Sequence, residues 1–273
     1  MMRSILEEDT GFFDITTEGL GIGELQGKME FSAKGEMILC GMEYAEQIFR
    51  NLRLEYTCHA KDGEKTAANT LLCEVYGSAG ALHKAWKVAQ NMLEYLSGIA
   101  TATQTLVQHA KEGNPDIIVA TTRKNFPNTK EMMLKAVAAG GGIHHRLGLY
   151  DSILVFAQHR TFFATKEGFE EGFARLKKKY LEKKTVVEVE SLEEASYFAA
   201  LGADVLQCEK MDFEELRACV ALKKNYPALL VSATGGINTQ NAAEYAACGV
   251  DFLVTSAPYH AKPLDVKVKM TPL

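Results

Sequence analysis

An α/β fold built around a parallel, open (β/α) barrel is predicted by three observations. Six apolar, strand-like runs recur in the second part of the chain, at 117–122, 152–156, 185–190, 203–209, 228–234 and 251–257. Helical patterns lie between them, and alternating β and α units build parallel sheets with right-handed crossovers. Six units are too few for a full eight-stranded barrel, so a short or open one is expected.

The residues before this region have another texture. From 24 to 80, short apolar runs alternate with glycine-bearing turns (GEMILCG, KDGEK, LLCEVYG), which predicts short strands with one helix near 42–52. A long helix over 81–112 follows, because Leu82, Ala85, Ala89, Met92 and Leu96 recur at steps of three or four. Ser97-Gly98 is the point where a kink or break is expected. Asn128-x-x-Glu131 and Ser191-x-x-Glu194 have the form of capping boxes, and Asn238 the place of a further cap.

Bulk properties exclude several classes. The 273 residues carry a formal charge of −5, with 47% hydrophobic and 24% charged side chains. That balance suits a soluble globular protein and not a nucleic-acid binder, which needs a strongly basic face. No apolar run reaches the ~18–20 residues that span a bilayer, and the start lacks a signal-peptide core. Six scattered cysteines without a CxxC fit reduced thiols in the cytoplasm. The adjacent His144 and His145 have no cysteine or carboxylate at zinc-binding spacing. His59, His83 and His109 are given no role.

Chemistry in parallel barrels gathers where strands end. Here those ends carry Arg123-Lys124, Glu188 and Glu190, Glu209, Thr234-Gly235-Gly236 and Ser256. Thr234-Gly235-Gly236-Ile237-Asn238 joins a strand to a helix start, where bare glycines let an anion approach backbone N–H groups. Without a ligand it is simply a tight turn. Arg123-Lys124 and His145-Arg146 suit carboxylates or phosphates, Arg as a planar fork and Lys as a point charge. Gly140-Gly141-Gly142, just before the second pair, permits a close and irregular backbone path. Glu188, Glu190 and Glu209 could hold Mg²⁺ or ribose hydroxyls, or form ordinary rim salt bridges.

Taken together, these segments resemble the quinolinate phosphoribosyltransferases (nicotinate-nucleotide pyrophosphorylases). The similarity runs through Glu8-Asp9, Asp14-Ile15-Thr16-Thr17, Lys61-Asp62-Gly63 and Ser97-Gly98-Ile99-Ala100-Thr101. It continues through Arg123-Lys124, Pro127, Ala136-Val137, Gly140-Gly141-Gly142, His145-Arg146 and Gly148-Leu149-Tyr150-Asp151, then VEVESLEEA, LGAD and GGI. The resemblance implies an N-terminal α/β sandwich, residues 1–108, and an open (β/α)6 barrel, 109–273, the last residues able to return to the first domain. It implies transfer of a phosphoribosyl group from phosphoribosyl pyrophosphate to the ring nitrogen of an aromatic acid, with release of pyrophosphate. The family's enzymes are dimers that complete each site with a basic residue from the partner, here Lys87.

By the same resemblance, Arg123, His145 and Arg146 bind the acceptor's carboxylate and Lys124 faces the phosphoribosyl group. Glu188 and Glu209 hold ribose hydroxyls or Mg²⁺, while Gly235, Gly236 and Ser256, following Thr234, cradle the 5′-phosphate. Lys124, Glu188 and Glu209 are the expected catalytic residues, and Mg²⁺ the expected cofactor.

Departures from the family pattern point away from quinolinate. An Arg of the family is Lys87, a site Lys is Phe156, Leu-Asp-Asn is Cys208-Glu209-Lys210, and the Ser before Gly-Gly is Thr234. A lost charge-assisted hydrogen bond is worth about 1.5–3 kcal/mol, and Lys lacks the two-pronged grip of Arg on a carboxylate. A less anionic or larger aromatic acceptor, stacking on Phe126 or Phe156, is expected. These departures resemble the ModD branch of the family, named for its association with molybdate-transport genes. A non-catalytic sensor of a phosphorylated metabolite or oxyanion remains the second reading.

Overall fold

The computed structural model describes residues 2–273, which divide into two compact units. The first comprises residues 2–104, 126–141 and 258–273; the second, 105–125 and 142–257.

The first unit is built on an antiparallel sheet of Gln26–Ala33 (β1), Glu55–Cys58 (β2), Leu71–Ser78 (β3) and the C-terminal strand Val266–Pro272. β1 is central, pairing with the C-terminal strand on one side and β3 on the other, and β2 forms an edge on β3. Alternate residues of β1 (Met29, Phe31, Ala33) are fully buried, as a half-buried strand requires. They pack against Ala45, Ile48 and Phe49 of the helix Met42–Asn51 and against Leu82, Ala85, Ala89 and Leu93 of the helix Ala79–Gly113.

Several family-like motifs have structural tasks in this unit. Asp14 caps the helix Ile15–Gly19, accepting from the Thr16 and Thr17 amides at 3.0 and 3.1 Å. Asp62 accepts from the Met42 amide at 2.8 Å, so the Lys61-Asp62-Gly63 turn caps a helix twenty residues earlier. Ser97 Oγ donates to the Cys40 carbonyl at 3.2 Å and accepts from the Cys40 amide at 3.0 Å, and Thr101 Oγ1 accepts from the Ile38 amide at 2.8 Å. The helix therefore runs unbroken through Ser97-Gly98, contrary to the sequence expectation. A side chain at Gly98 would collide with the Lys262 carbonyl, so this glycine serves close packing and not a kink. Gly140 has the same function against Ala100 and Thr103, and Gly141 supplies a left-handed turn (φ +84°).

The second unit is a seven-stranded, all-parallel sheet, one strand more than the six expected. Its strands are Ile118–Thr121 (β4), Ile143–His144 (β5), Ile153–Val155 (β6), Thr185–Val189 (β7), Val205–Glu209 (β8), Leu230–Thr234 (β9) and Phe252–Thr255 (β10). Their order is β5-β4-β10-β9-β8-β7-β6. The last strand thus pairs with the first, while β5 and β6 are unpaired neighbours in sequence, so the barrel is open at that seam. β5 has no sequence signal of its own, because two residues after a triple glycine leave no period to read.

Alternation sorts the barrel strands cleanly. Val187, Val189, Leu206, Cys208, Val231, Ala233 and Leu253 pack outward in one core with helix residues such as Phe173, Ala195, Phe198 and Leu216. Leu154, Val186 and Val205, with Phe156, Leu230 and Phe252, form a separate apolar cluster on the inner face. Ser191 caps the helix Leu192–Ala200 as expected, accepting from the Glu194 amide at 3.2 Å. Two other expected caps fail. Asn128 adopts a left-handed φ of +65°, and the helix Lys130–Ala139 starts after Thr129 without a side-chain cap. Asn238 closes a local turn by accepting from the Gln240 amide at 2.8 Å, four residues before the helix Ala242–Ala246 begins.

Candidate active site at the barrel rim

Parallel strands in register bring their C-terminal residues to one edge. Glu209 aligns with Thr234, Gln207 with Glu188, Thr255 with Thr121, and Thr121 with His144. Residues predicted from separate motifs therefore meet at this rim.

Arg146 is the best-defined member. It is buried (7% exposed), and its guanidinium carbon lies 5.4 Å from the centroid of the Phe156 ring. Burial and the nearby Arg123 lower its pKa, and Glu188 partly offsets them. Among the described residues Arg146 makes no ion pair, nor do Arg123 and Lys124, both exposed. A buried guanidinium without a carboxylate partner is costly unless an anion joins it. Phe156 in turn stacks on His159 at 5.8 Å, and His159 Nδ1 lies 3.0 Å from the Phe156 amide.

His145 sits 6.0 Å, ring to ring, from Phe252 of the inner apolar cluster. Burial and the adjacent Arg146 hold its pKa down at about 4. It is thus a neutral imidazole at pH 7, a hydrogen-bonding group and not a third positive charge.

The carboxylates lie on adjacent strands. Glu188 is half-buried; burial raises its pKa, Glu209 and Glu190 add to this, and the Gln207 hydrogen bond and Lys124 oppose it. Gln207 Nε2 donates to Glu188 Oε2 at 2.9 Å. Glu209 pairs with Lys210 at 3.2 Å, and Lys210 takes a left-handed φ of +53°. The Lys210 amide donates to the Thr234 carbonyl at 2.8 Å, which folds this segment onto Gly235.

Gly235 and Gly236 both have positive φ (+89° and +74°). A Cβ on Gly235 would lie 2.8 Å from Glu209 Oε1, whereas one on Gly236 would meet nothing within 4 Å. The Gly236 carbonyl accepts from Asn238 Nδ2 and Asn241 Nδ2 at 3.1 and 3.2 Å, so the turn is held from behind. Thr234 Oγ1 is spent inside the sheet, donating to the Val254 carbonyl at 3.0 Å. Ser256 follows β10 half-buried, beside Thr255, whose hydroxyl donates to the Ile237 carbonyl at 2.7 Å.

Lys87 and Phe126 belong to the first unit. Lys87 is exposed, 3.1 Å from Gln90 Oε1 and over the Trp86 ring at 4.8 Å. Phe126 is 69% exposed. A cavity of about 500 Å³ beside β6 is lined by Arg146 but by neither carboxylate, and its other walls are mainly apolar, including Phe163, Phe169 and Phe173. It is therefore not the chemical centre. Gln207 was missed by sequence reasoning, although a polar residue two before Glu209 on an inward-facing run is a readable signal.

Unpaired cations, a half-buried aromatic ring, two carboxylates and a double-glycine turn share one rim of this α/β barrel, an arrangement suited to an anionic ligand. Residues 14–97 match the quinolinate phosphoribosyl transferase N-terminal domain, and residues 99–269 the C-terminal domain of the same family. A relative from Pasteurella multocida, named "Putative pyrophosphorylase ModD", is 37% identical over 271 residues, covering 98% of this chain and 95% of its own. The nicotinate-nucleotide pyrophosphorylase structure from Francisella tularensis superposes with a TM-score of 0.90 at 27% identity, covering 99% and 94% of the two chains. NadC from Streptococcus pyogenes gives 0.90 at 28% identity, covering 100% and 95%. The chain belongs to the quinolinate phosphoribosyl transferase family, and its curated full-length relatives at 34–37% identity carry the ModD name.

Proposed function

We propose that this phosphoribosyltransferase moves the phosphoribosyl group of phosphoribosyl pyrophosphate to the ring nitrogen of an aromatic acceptor other than quinolinate. The observation that carries this reading is buried Arg146, without an ion-pair partner, beside Arg123 and within electrostatic reach of Glu188. Arg146 and Arg123 would hold an acceptor carboxylate, with neutral His145 as a hydrogen-bonding neighbour. Phe156 would offer the ring a face to stack on.

The acceptor nitrogen's lone pair forms the new bond to C1 of the ribose while the C1–O bond breaks, its electrons leaving with pyrophosphate. Positive charge develops on the ribose ring, and Glu188 and Glu209 would stabilise it. Lys124 would offset the charge on the departing pyrophosphate. Gly235, Gly236, Thr234 and Ser256 form the segment that would receive the 5′-phosphate. Positioning supplies much of the rate, since little proton transfer is needed.

Two carboxylates on neighbouring strands fit Mg²⁺, which usually binds one or two protein carboxylates together with substrate phosphates. Among the described residues no group of three or more potential metal ligands occurs, so the substrate would complete the shell. Bound there, the ion would neutralise charge on the pyrophosphate.

The same reading takes the working form as a cytoplasmic homodimer in which Lys87 reaches the partner's site. Any link to molybdate transport would run through a small metabolite; among the described residues no helix is long and apolar enough to cross a membrane. A second reading, a non-catalytic sensor, draws on the Glu209–Lys210 pair, which neutralises one of the expected catalytic carboxylates. Pyrophosphate release from phosphoribosyl pyrophosphate across a panel of aromatic acceptors tests the first. Ligand-induced stabilisation without turnover on any acceptor would favour the second.

A further inference from the structure

Gln207 carries a polar group that the rim leaves without a partner. It stands on β8 two positions before Glu209, between Leu206 and Cys208, which pack outward against the helices. Its neighbour in alternation, Val205, belongs to the inner cluster, so Gln207 faces the barrel interior. The side chain is buried (4% exposed). Its Nε2 donates to Glu188 Oε2 at 2.9 Å across two residues in direct register. Its Oε1 is buried with no hydrogen-bond partner.

Rotating the amide would not relieve this, because Oε1 would then face the Glu188 carboxylate, acceptor against acceptor. Glu188 therefore fixes which way the amide points. Among the described residues no donor reaches it. Leu154, Val186, Val205 and Leu230 are apolar, and Ser232, aligned with Gln207 on β9, directs its hydroxyl to the Leu206 carbonyl at 3.4 Å. Buried amide oxygens are rarely left unpaired in folded proteins, and such an orphan points to a donor from outside the chain.

Gln207, whose Oε1 is buried, and the carboxylates of Glu188 and Glu209 put acceptors at neighbouring inner-face positions of β7 and β8. Against Gln207 itself a second carboxylate on a ligand would meet an acceptor, whereas an N–H or O–H would be received. We propose that Gln207 is a specificity-determining residue, accepting a hydrogen bond from an uncharged N–H or O–H substituent of the aromatic acceptor. It would thereby select a ring bearing one carboxylate and a neutral donor over a dicarboxylate. This inference rests on the phosphoribosyl-transfer reading above. A site of this kind discriminates strongly, because the analogue lacking the donor leaves the buried acceptor unpaired.

The test is calorimetric binding of 2-aminonicotinate and 2-methylnicotinate, which match in shape and differ in the donor, to the full-length protein saturated with phosphoribosyl pyrophosphate and Mg²⁺. The wild type is expected to bind the amino compound at least about fivefold more tightly. Gln207→Met, which keeps the length and removes the amide, should bring the two within about twofold of each other. Equal affinities in the wild type, or a preference that survives in Gln207→Met, would overturn the assignment. The wild-type comparison decides the matter even if the variant does not fold. Titration with phosphoribosyl pyrophosphate alone separates the two levels: binding without donor discrimination removes only the role of Gln207, while failure to bind removes the transfer reading as well.

Discussion

The guanidinium of Arg146 lies over the ring of Phe156, 5.4 Å from its centroid, so the residue that would hold an acid is backed by a hydrophobic plate. The plate stands where the family resemblance implies a lysine. Replacing Phe156 by lysine would return a positive charge to the pocket beside Arg146. Phe156→Lys is predicted to raise quinolinate affinity by about tenfold or more, in line with one added charge-assisted hydrogen bond. Isothermal calorimetry with quinolinate checks this; unchanged affinity would show that Phe156 does not face the acceptor.

His145 makes stability depend on pH. Its folded pKa, about 4, lies below the ordinary value of 6.5. Between these limits the unfolded chain binds the extra proton, so the histidine's contribution is intact above pH 6.5 and is lost as pH falls toward 4. The full effect is roughly 3 kcal/mol, from about 1.4 kcal/mol per pKa unit. Glu188, whose pKa is raised, works in the opposite sense, losing stability as pH rises. Urea unfolding of the wild type and His145→Gln across pH 4.5–7 isolates the histidine. The variant should be the less pH-sensitive of the two, and parallel curves would contradict the assignment.

The two glycines of the β9 turn should respond differently. Gly235→Ala places a methyl group against Glu209 Oε1 and the Lys210 side chain, while Gly236→Ala meets open space. Both pay for positive φ, but only the first must displace a rim carboxylate. Phosphoribosyl pyrophosphate affinity is predicted to fall about tenfold or more in Gly235→Ala and by less in Gly236→Ala. Equal losses would place the carboxylate outside the sugar site.

Asp62 is predicted to be structural despite lying in a family-like motif. Asp62→Ala removes the acceptor for the Met42 amide and should cost about 1 kcal/mol, as loss of a helix cap does. Thermal melting would show the loss, and phosphoribosyl pyrophosphate binding measured well below the melting temperature should be retained.

The sequence by itself determined the order of elements and most of the rim. Alternating apolar runs marked six of the seven barrel strands, and the polar residues ending them marked Arg123, Glu188, Glu209 and Gly235, because strand periodicity and strand ends are local properties. Tertiary structure decided what local pattern does not contain. β5 exists because β4 offers it a partner, not because Ile143 and His144 prefer to be extended. Helix Ala79–Gly113 passes through Ser97-Gly98 because residues 38–40 and Lys262 approach it there. Burial and the neighbouring Arg146 keep His145 a neutral ring at pH 7, and parallel register set Gln207 beside Glu188. Desolvation and cross-strand contact depend on residues distant in the chain, so they become visible only once the barrel is assembled.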